Sequence, residues 1–128
     1  MRSEVSRARE VMDLAKKLSK GEWKTHFEAV MFEMRVGCFN RAEEMVSESL
    51  ETYFATGRLW ATLIQLQHAR AKSTQDFDLA FKTFKQALQE IPKSGEVWCE
   101  GARLMMANVA SNRHFSLEKA ERYLNFAI

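Results

Sequence analysis

Apolar residues recur along this chain every three or four positions, the spacing of one face of an α-helix, and they seldom alternate as in a β-strand. The pattern is most complete between Asp76 and Trp98, where one helical stripe holds four apolar side chains, Ala80, Phe84, Ala87 and Leu88. Pro92 cannot continue that helix, because it lacks an N–H and its ring clashes with the preceding turn. Ser94 can cap the helix that follows. The segment therefore predicts a helix, a proline stop, a turn and a second helix.

Two sets of positions repeat along the chain, out of phase with each other. In the first set a tryptophan closely follows a glycine, and Trp23, Trp60 and Trp98 are 37 and 38 residues apart. In the second set the helical stripe starts at an alanine in each copy, Ala42, Ala80 and Ala120. These repeats predict two alternating helix types. We place type A near 22–36, 58–72 and 95–110, and type B near 3–18, 40–55, 76–91 and from 116 onward.

Each A/B pair forms a hairpin that cannot bury its apolar face alone, so consecutive hairpins must stack. We therefore expect an all-α fold, a right-handed α–α superhelix of about seven antiparallel helices. It would form a single domain over 1–128, with a lone helix at 3–18 and hairpins at about 22–55, 58–91 and 95–128. The last apolar stripe runs to Ile128 without a polar capping helix, so we expect a fragment of a longer repeat protein.

Glycines and small polar residues mark the predicted turns. Gly21, Gly37, Gly57 and Gly95 lie in or beside these turns, where a positive φ is often required. Asp76 and Ser116 are the predicted N-caps of their helices. The repeated tryptophans and alanines, together with Phe84 and Pro92, are expected to serve packing.

Composition and the two cysteines indicate the cellular compartment of the protein. The apolar fraction of 46% and the charged fraction of 28% are typical of a soluble globular protein. The apolar runs are shorter than a membrane span, and the N-terminal segment lacks the apolar core of a secretion signal. Cys38 and Cys99 lie far apart, in helical contexts typical of free buried thiols. We expect a chain that is not secreted, in the nucleus or the cytosol.

The stripe on helix 76–91 resembles the second helix of tetratricopeptide (TPR) repeats. Its residues Ala80, Phe84, Ala87 and Pro92 have the family's A-x3-F-x2-A-x4-P spacing. The present repeat exceeds the roughly 34 residues of a TPR unit, and the longer unit resembles the half-a-TPR (HAT) branch. In the first hairpin, three features match the HAT pattern: Phe32-Glu33, Gly37 and Arg41-Ala42.

The HAT resemblance implies a function that the spacing alone does not. HAT repeats are similar to those of scaffold proteins in RNA processing, namely splicing, polyadenylation and ribosomal-RNA maturation. There they mediate protein–protein contacts and homodimerisation. The resemblance thus implies a nuclear, non-catalytic scaffold in a multiprotein or ribonucleoprotein complex.

Residues with catalytic or metal-binding chemistry are scattered. His26, His68 and His114 occur one per repeat, without a Cys or His three or four positions away. We expect His26 to pack and the other two to lie at the surface or at helix ends. The sequence also lacks phosphate loops, nucleophile elbows and C-x-x-C pairs. We therefore predict no enzyme activity, no cofactor and no metal site.

Three surfaces are candidates for binding. Helix phase places polar residues of the second and third A helices on a concave face that would hold a protein partner: Gln65, Gln67, Arg70, Glu100 and Arg103. An alternative is direct binding of single-stranded RNA through basic helix faces, with Lys16, Lys17, Lys20, Lys82 and Lys85 contacting phosphates. The unfinished last stripe would support self-association through Tyr123, Leu124, Ala127 and Ile128.

A third function remains open at this point. Some TPR domains are co-chaperones or adaptors that receive an acidic C-terminal peptide. Such a site needs a Lys/Asn/Arg clamp on successive A helices, and asparagine is absent from the first two A helices.

Overall fold

A computed structural model of the chain describes residues 2–18 and 22–127. The described residues form seven α-helices and no strand: α1 (Arg2–Leu18), α2 (Trp23–Arg35), α3 (Phe39–Thr52), α4 (Gly57–Ala69), α5 (Thr74–Glu90), α6 (Gly95–Met106) and α7 (Leu117–Ala127). They divide into two compact units, unit 1 at 1–53 and unit 2 at 54–128. The prediction of one domain, cut from a longer array, stays a prediction.

In unit 1, α2 packs against both α1 and α3. The buried apolar side chains of α2 and α3 are Ala29, Val30, Ala42, Val46 and Leu50. Glu33 is buried among them and is held by two guanidinium groups. Arg9 donates two hydrogen bonds, Nε to Oε1 at 2.7 Å and Nη2 to Oε2 at 3.1 Å, and Nε of Arg41 lies 3.2 Å from Oε1. The Glu and Arg of the HAT pattern are therefore an ion pair.

In unit 2, α4 pairs with α5 and α6 with α7, while α6 also packs against α4 and α5. Phe84 of α5 is 2% exposed and lies at the centre of the core, within ring contact of Trp98 and Tyr123. A Cβ added at Gly101 would collide with the ring of Phe84, so the glycine makes room for it. The alanines of the helical stripes are buried, Ala42 in unit 1 and Ala80 and Ala120 in unit 2.

The tryptophans of unit 2 form hydrogen bonds to the turns that precede their A helices. The indole Nε1 of Trp60 donates to the carbonyl of Phe54 at 2.7 Å, and that of Trp98 donates to the carbonyl of Pro92 at 2.8 Å. Both bonds reach back six residues. In these two copies the tryptophan therefore holds the turn before its helix.

Helix starts agree with prediction within two residues, whereas α3, α4 and α6 end three or four residues earlier than predicted. The largest difference is α6, which ends at Met106 instead of 110. Asn112 explains it, because its Nδ2 donates to the carbonyls of Leu104 and Ala107 at 2.7 and 2.9 Å. The side chain replaces the donors that further helical turns would supply.

The caps require one correction. Ser94 and Ser116 cap α6 and α7, accepting from the N–H groups of Val97 and Lys119. Asp76 is not an N-cap: Ser73 caps α5, and Asp76 is the third helical residue of a capping box. The prediction missed Ser73 because the apolar stripe of α5 begins only after its first turn.

The glycines need a second correction. Among the described glycines a positive φ occurs only at Gly37, where the N–H groups of Gly37 and Cys38 close a Schellman turn on the carbonyls of Met34 and Glu33. Gly57 and Gly95 begin helices, and a Cβ there would meet Ser94 and the carbonyl oxygen of Ala127 respectively. These two positions need glycine for close approach. Gly21 lies outside the described residues.

Candidate interaction surfaces

The residues predicted to hold a protein partner lie on two helices of unit 2 that pack together, α4 and α6. Gln65 and Arg103 are exposed, Gln67 and Arg70 are half-buried, and Glu100 is buried with 7% exposure. We call this set the A-helix surface. The sequence pattern did not reveal that one of its members is a buried carboxylate.

Glu100 is only partly paired. Its Oε1 accepts a hydrogen bond from Nη1 of Arg103 at 3.0 Å, whereas its buried Oε2 has no hydrogen-bond partner among the described residues. The buried Oε1 of Gln67 likewise has none. Burial raises the pKa of Glu100, and the charge of Arg103 opposes that rise. Two acceptors on this surface thus lack donors.

His68 adjoins the A-helix surface. It lies in the last turn of α4, at a helix end as predicted, and it is half-buried, with its ring centroid 6.0 Å from that of Phe77. Burial lowers the pKa of His68, and the positive charge of Arg103 lowers it further. A neutral imidazole therefore lies beside the polar surface.

Two of the predicted RNA-binding lysines, Lys82 and Lys85, are exposed on α5. They line an open groove of about 510 Å³ in unit 2. Arg113 and His114, from the segment between α6 and α7, line the same groove. Sequence reasoning missed this neighbourhood, because the two residues are about thirty positions away from the lysines along the chain.

The groove contains an ordered cluster around Asp78. Arg113 donates two hydrogen bonds to this carboxylate, at 3.2 and 2.6 Å, and Nε2 of His114 lies 2.7 Å from Oδ1. The ring of His114 also packs on Phe81, with centroids 4.2 Å apart. The hydrogen bond to His114, followed by the charge of Arg113, holds the pKa of Asp78 below its usual value. His114 was expected at the surface or at a helix end, and it is half-buried.

The remaining lysines belong to unit 1. Lys16 and Lys17 line a second groove, of about 530 Å³, together with His26 and Tyr53. Lys16 lies 3.5 Å from Asp13, so an acidic group already accompanies it. His26 packs on Tyr53 as expected, with centroids 5.2 Å apart, and burial followed by the charge of Lys16 lowers its pKa. Lys20 lies outside the described residues.

The predicted self-association residues differ in their surroundings. Tyr123 packs into the core of unit 2 against Phe84 and Trp98. Leu124 is 39% exposed, Ala127 is half-buried, and Ile128 lies outside the described residues. Self-association through this face stays a prediction.

Groups that could bind a metal ion or react as thiols are few in the part of the chain that the structure describes. No three His, Cys, Asp or Glu side chains there lie close enough together to hold a metal ion. Cys38 and Cys99 are free thiols and are half-buried.

None of the described helices combines the length and the apolar character needed to cross a membrane.

Comparison with known proteins identifies the repeat. The family model described as "PRP6, TPR-like domain" matches residues 1–128. A TPR-containing protein of Dictyostelium discoideum is 40% identical over 118 residues, which cover 92% of this chain and 8% of that protein. The chain thus spans about a twelfth of the length of this curated relative.

A solved structure confirms the fold class. The chain is similar to MamA MSR-1 C2 with a TM-score of 0.62 and 17% identity, over 98% of this chain and 70% of that one. The predictions of an all-α fold and of a TPR/HAT-like repeat are both confirmed. The chain belongs to the PRP6 TPR-like domain family.

Proposed function

We propose that this chain is a non-catalytic protein-interaction scaffold in a nuclear RNA-processing assembly, and that the process is splicing. The family match over the whole chain supports this class of function, because TPR-like repeats bind other proteins on the faces of their stacked helices. The PRP6 family is one of splicing factors, which supports the process and the nucleus. The HAT-like Glu33–Arg41 pair of unit 1 agrees with that assignment.

The observation that carries the binding surface is the buried, unpaired Oε2 of Glu100 on α6. A buried polar atom without a hydrogen bond costs about 1–3 kcal/mol. Gln67 on α4 presents a second such oxygen. Because α4 and α6 pack together, both acceptors belong to the A-helix surface and would be satisfied by donors from outside the chain.

The chemistry of these two residues indicates the kind of partner. Both need donors, so a partner segment that carries Lys or Arg side chains, or free backbone N–H groups, is complementary to them. Glu100 keeps a tenth of its side chain exposed, and its buried Oε2 would reach a partner through a change of rotamer. Exposed Gln65 and Arg103 would then contact the rim of the same partner.

Affinity purification tests the proposal. The chain is immobilised and incubated with nuclear and cytosolic extracts, with and without RNase, and bound proteins are identified by mass spectrometry. We expect nuclear splicing proteins to be recovered after RNase treatment. The negative bait is Phe84→Asp, which places a charge in the core of unit 2.

Two results would contradict the scaffold. Recovery of chaperones alone would favour the co-chaperone or adaptor function. Recovery of the same proteins by the Phe84→Asp bait would mean that unfolded chain, and no folded surface, retains them.

A further inference from the structure

Unit 2 carries a second surface. It lies along the B-type helix α5, whereas the A-helix surface lies on α4 and α6. It is the groove along α5 lined by Lys82, Lys85, Gln86, Gln89, Arg113 and His114, with Asp78 and Phe81 beside them. We call it the α5 groove. From its charge and hydrogen bonds we infer that it binds single-stranded RNA, in addition to any protein partner of the scaffold.

The α5 groove carries more positive than negative charge. Asp78 is the acidic residue of its lining, and the guanidinium of Arg113 already balances it. Lys82 and Lys85 are exposed and have no acidic partner among the described residues. Their two positive charges are therefore available to an anionic ligand.

The cations that remain available in the α5 groove are those of lysine, and they suit phosphates. An arginine guanidinium holds carboxylates and phosphates alike, in a two-pronged geometry. In this groove that group is already engaged, since Arg113 donates both of its bonds to Asp78. The available cations are lysine ammonium groups, which act as point charges and contact phosphates along a backbone without a fixed orientation.

The other side chains of the α5 groove offer contacts to bases. Gln86 and Gln89 have amides that can both donate to and accept from base edges. The side chain of His114 is 31% exposed. Its position is fixed by the hydrogen bond to Asp78 and by the ring contact with Phe81. A fixed, half-exposed ring next to lysines is a surface on which an unstacked base can lie.

Binding of labelled RNA tests the inference without any protein partner. The probe is a fluorescent oligouridine of about twelve nucleotides, titrated with the chain and followed by anisotropy between about 50 and 200 mM salt. We expect Lys82→Glu with Lys85→Glu to weaken binding by at least about tenfold. The slope of log affinity against log salt should also become shallower by about 1.4, since each phosphate contact on a single strand contributes about 0.7.

The matched control is Lys93→Glu with Lys119→Glu, the same charge change at two exposed positions of unit 2 outside the groove. It should weaken binding by no more than about twofold, because those lysines touch no bound phosphate. The neutral pair Lys82→Gln with Lys85→Gln should lie between the wild type and the reversal. All variants replace exposed side chains, and circular dichroism checks that they fold.

Three results would overturn the inference. One is absence of binding at about 50 mM salt. Another is an equal loss in the groove and control variants, which would mean attraction by net charge alone. The third is equal competition by an oligoglutamate of the same charge, which would make the groove a site for acidic peptides. Because no extract is used, a negative result here leaves the scaffold proposal standing.

Discussion

At the scale of single residues, two buried glutamates have opposite surroundings. Glu33 has both carboxylate oxygens engaged, by Arg9 and by Arg41. Glu100 has one oxygen paired with Arg103 and the other unpaired. Removing one partner of a buried ion pair leaves an uncompensated charge, which strongly destabilises a fold. The paired Glu33 therefore cannot lose its partners without cost to unit 1, whereas the unpaired oxygen of Glu100 already reduces the stability of unit 2.

This contrast predicts opposite effects of the same substitution. The folded-state pKa of Glu100 is raised above its ordinary value of 4.5. Its contribution to stability is fully present below that ordinary value and is lost as the pH rises through the folded-state pKa. Glu100→Gln should therefore have a higher melting temperature than wild type at neutral pH, with the difference vanishing in acid.

Glu33→Gln is the control, since it removes a compensated charge and its charge-assisted hydrogen bonds. It should lower the free energy of unfolding by about 1–3 kcal/mol at neutral pH. Thermal melts at several pH values measure both variants. A lower melting temperature for Glu100→Gln at neutral pH would mean that its unpaired oxygen costs the fold nothing.

At the scale of helices, α5 shows how a local signal sets a boundary. Ser73 Oγ accepts from the N–H of Asp76 at 3.2 Å, and Asp76 Oδ2 accepts from the N–H groups of Lys72 and Ser73 at 2.9 and 3.2 Å. These backbone bonds lower the pKa of Asp76. The box therefore stabilises the helix above the ordinary Asp pKa of 3.8 and loses that effect as the pH falls.

Removing the N-cap of α5 should lower the stability of unit 2. Ser73→Ala leaves the N–H of Asp76 without its acceptor and should lower the free energy of unfolding by about 1 kcal/mol. Ser47→Ala makes the same change at an exposed position inside α3. It should leave stability equal or slightly higher, because alanine favours helix interiors. Urea unfolding followed by circular dichroism measures both, and an equal effect of the two substitutions would contradict the capping role.

The helices themselves were predictable because their signals are local. The stripe of Ala80 and Phe84 repeats at helical spacing, and Pro92 marks the end of its helix. The early end of α6 was not predictable, because it depends on Asn112 reaching the carbonyls of Leu104 and Ala107 across a turn. Helix pattern carries no information about such a side chain.

At the scale of the whole molecule, the repeat was visible in the sequence and its sites were only partly so. The tryptophan period and the alanine stripes led to the TPR/HAT-like class, which the family match confirms. The α5 groove was not predictable, because it joins Lys82 and Lys85 to Arg113 and His114 through tertiary packing. The burial of Glu100 also depends on its neighbours on other helices.

The two proposed surfaces assign different ligands to different helices of unit 2. The A-helix surface on α4 and α6 would bind protein, and the α5 groove would bind RNA. If both proposals hold, unit 2 would bind a protein and an RNA strand on different helices.

Two double variants, used as baits for nuclear proteins after RNase treatment, test protein binding at the A-helix surface. Gln65→Glu with Arg103→Glu changes the A-helix surface, and Gln75→Glu with Arg122→Glu makes the same changes on α5 and α7. If the A-helix surface holds the protein partner, recovery of splicing proteins falls by at least about tenfold with the first bait and is unchanged with the second. Equal recovery by the two baits, with both folded by circular dichroism, would show that the partner does not bind there.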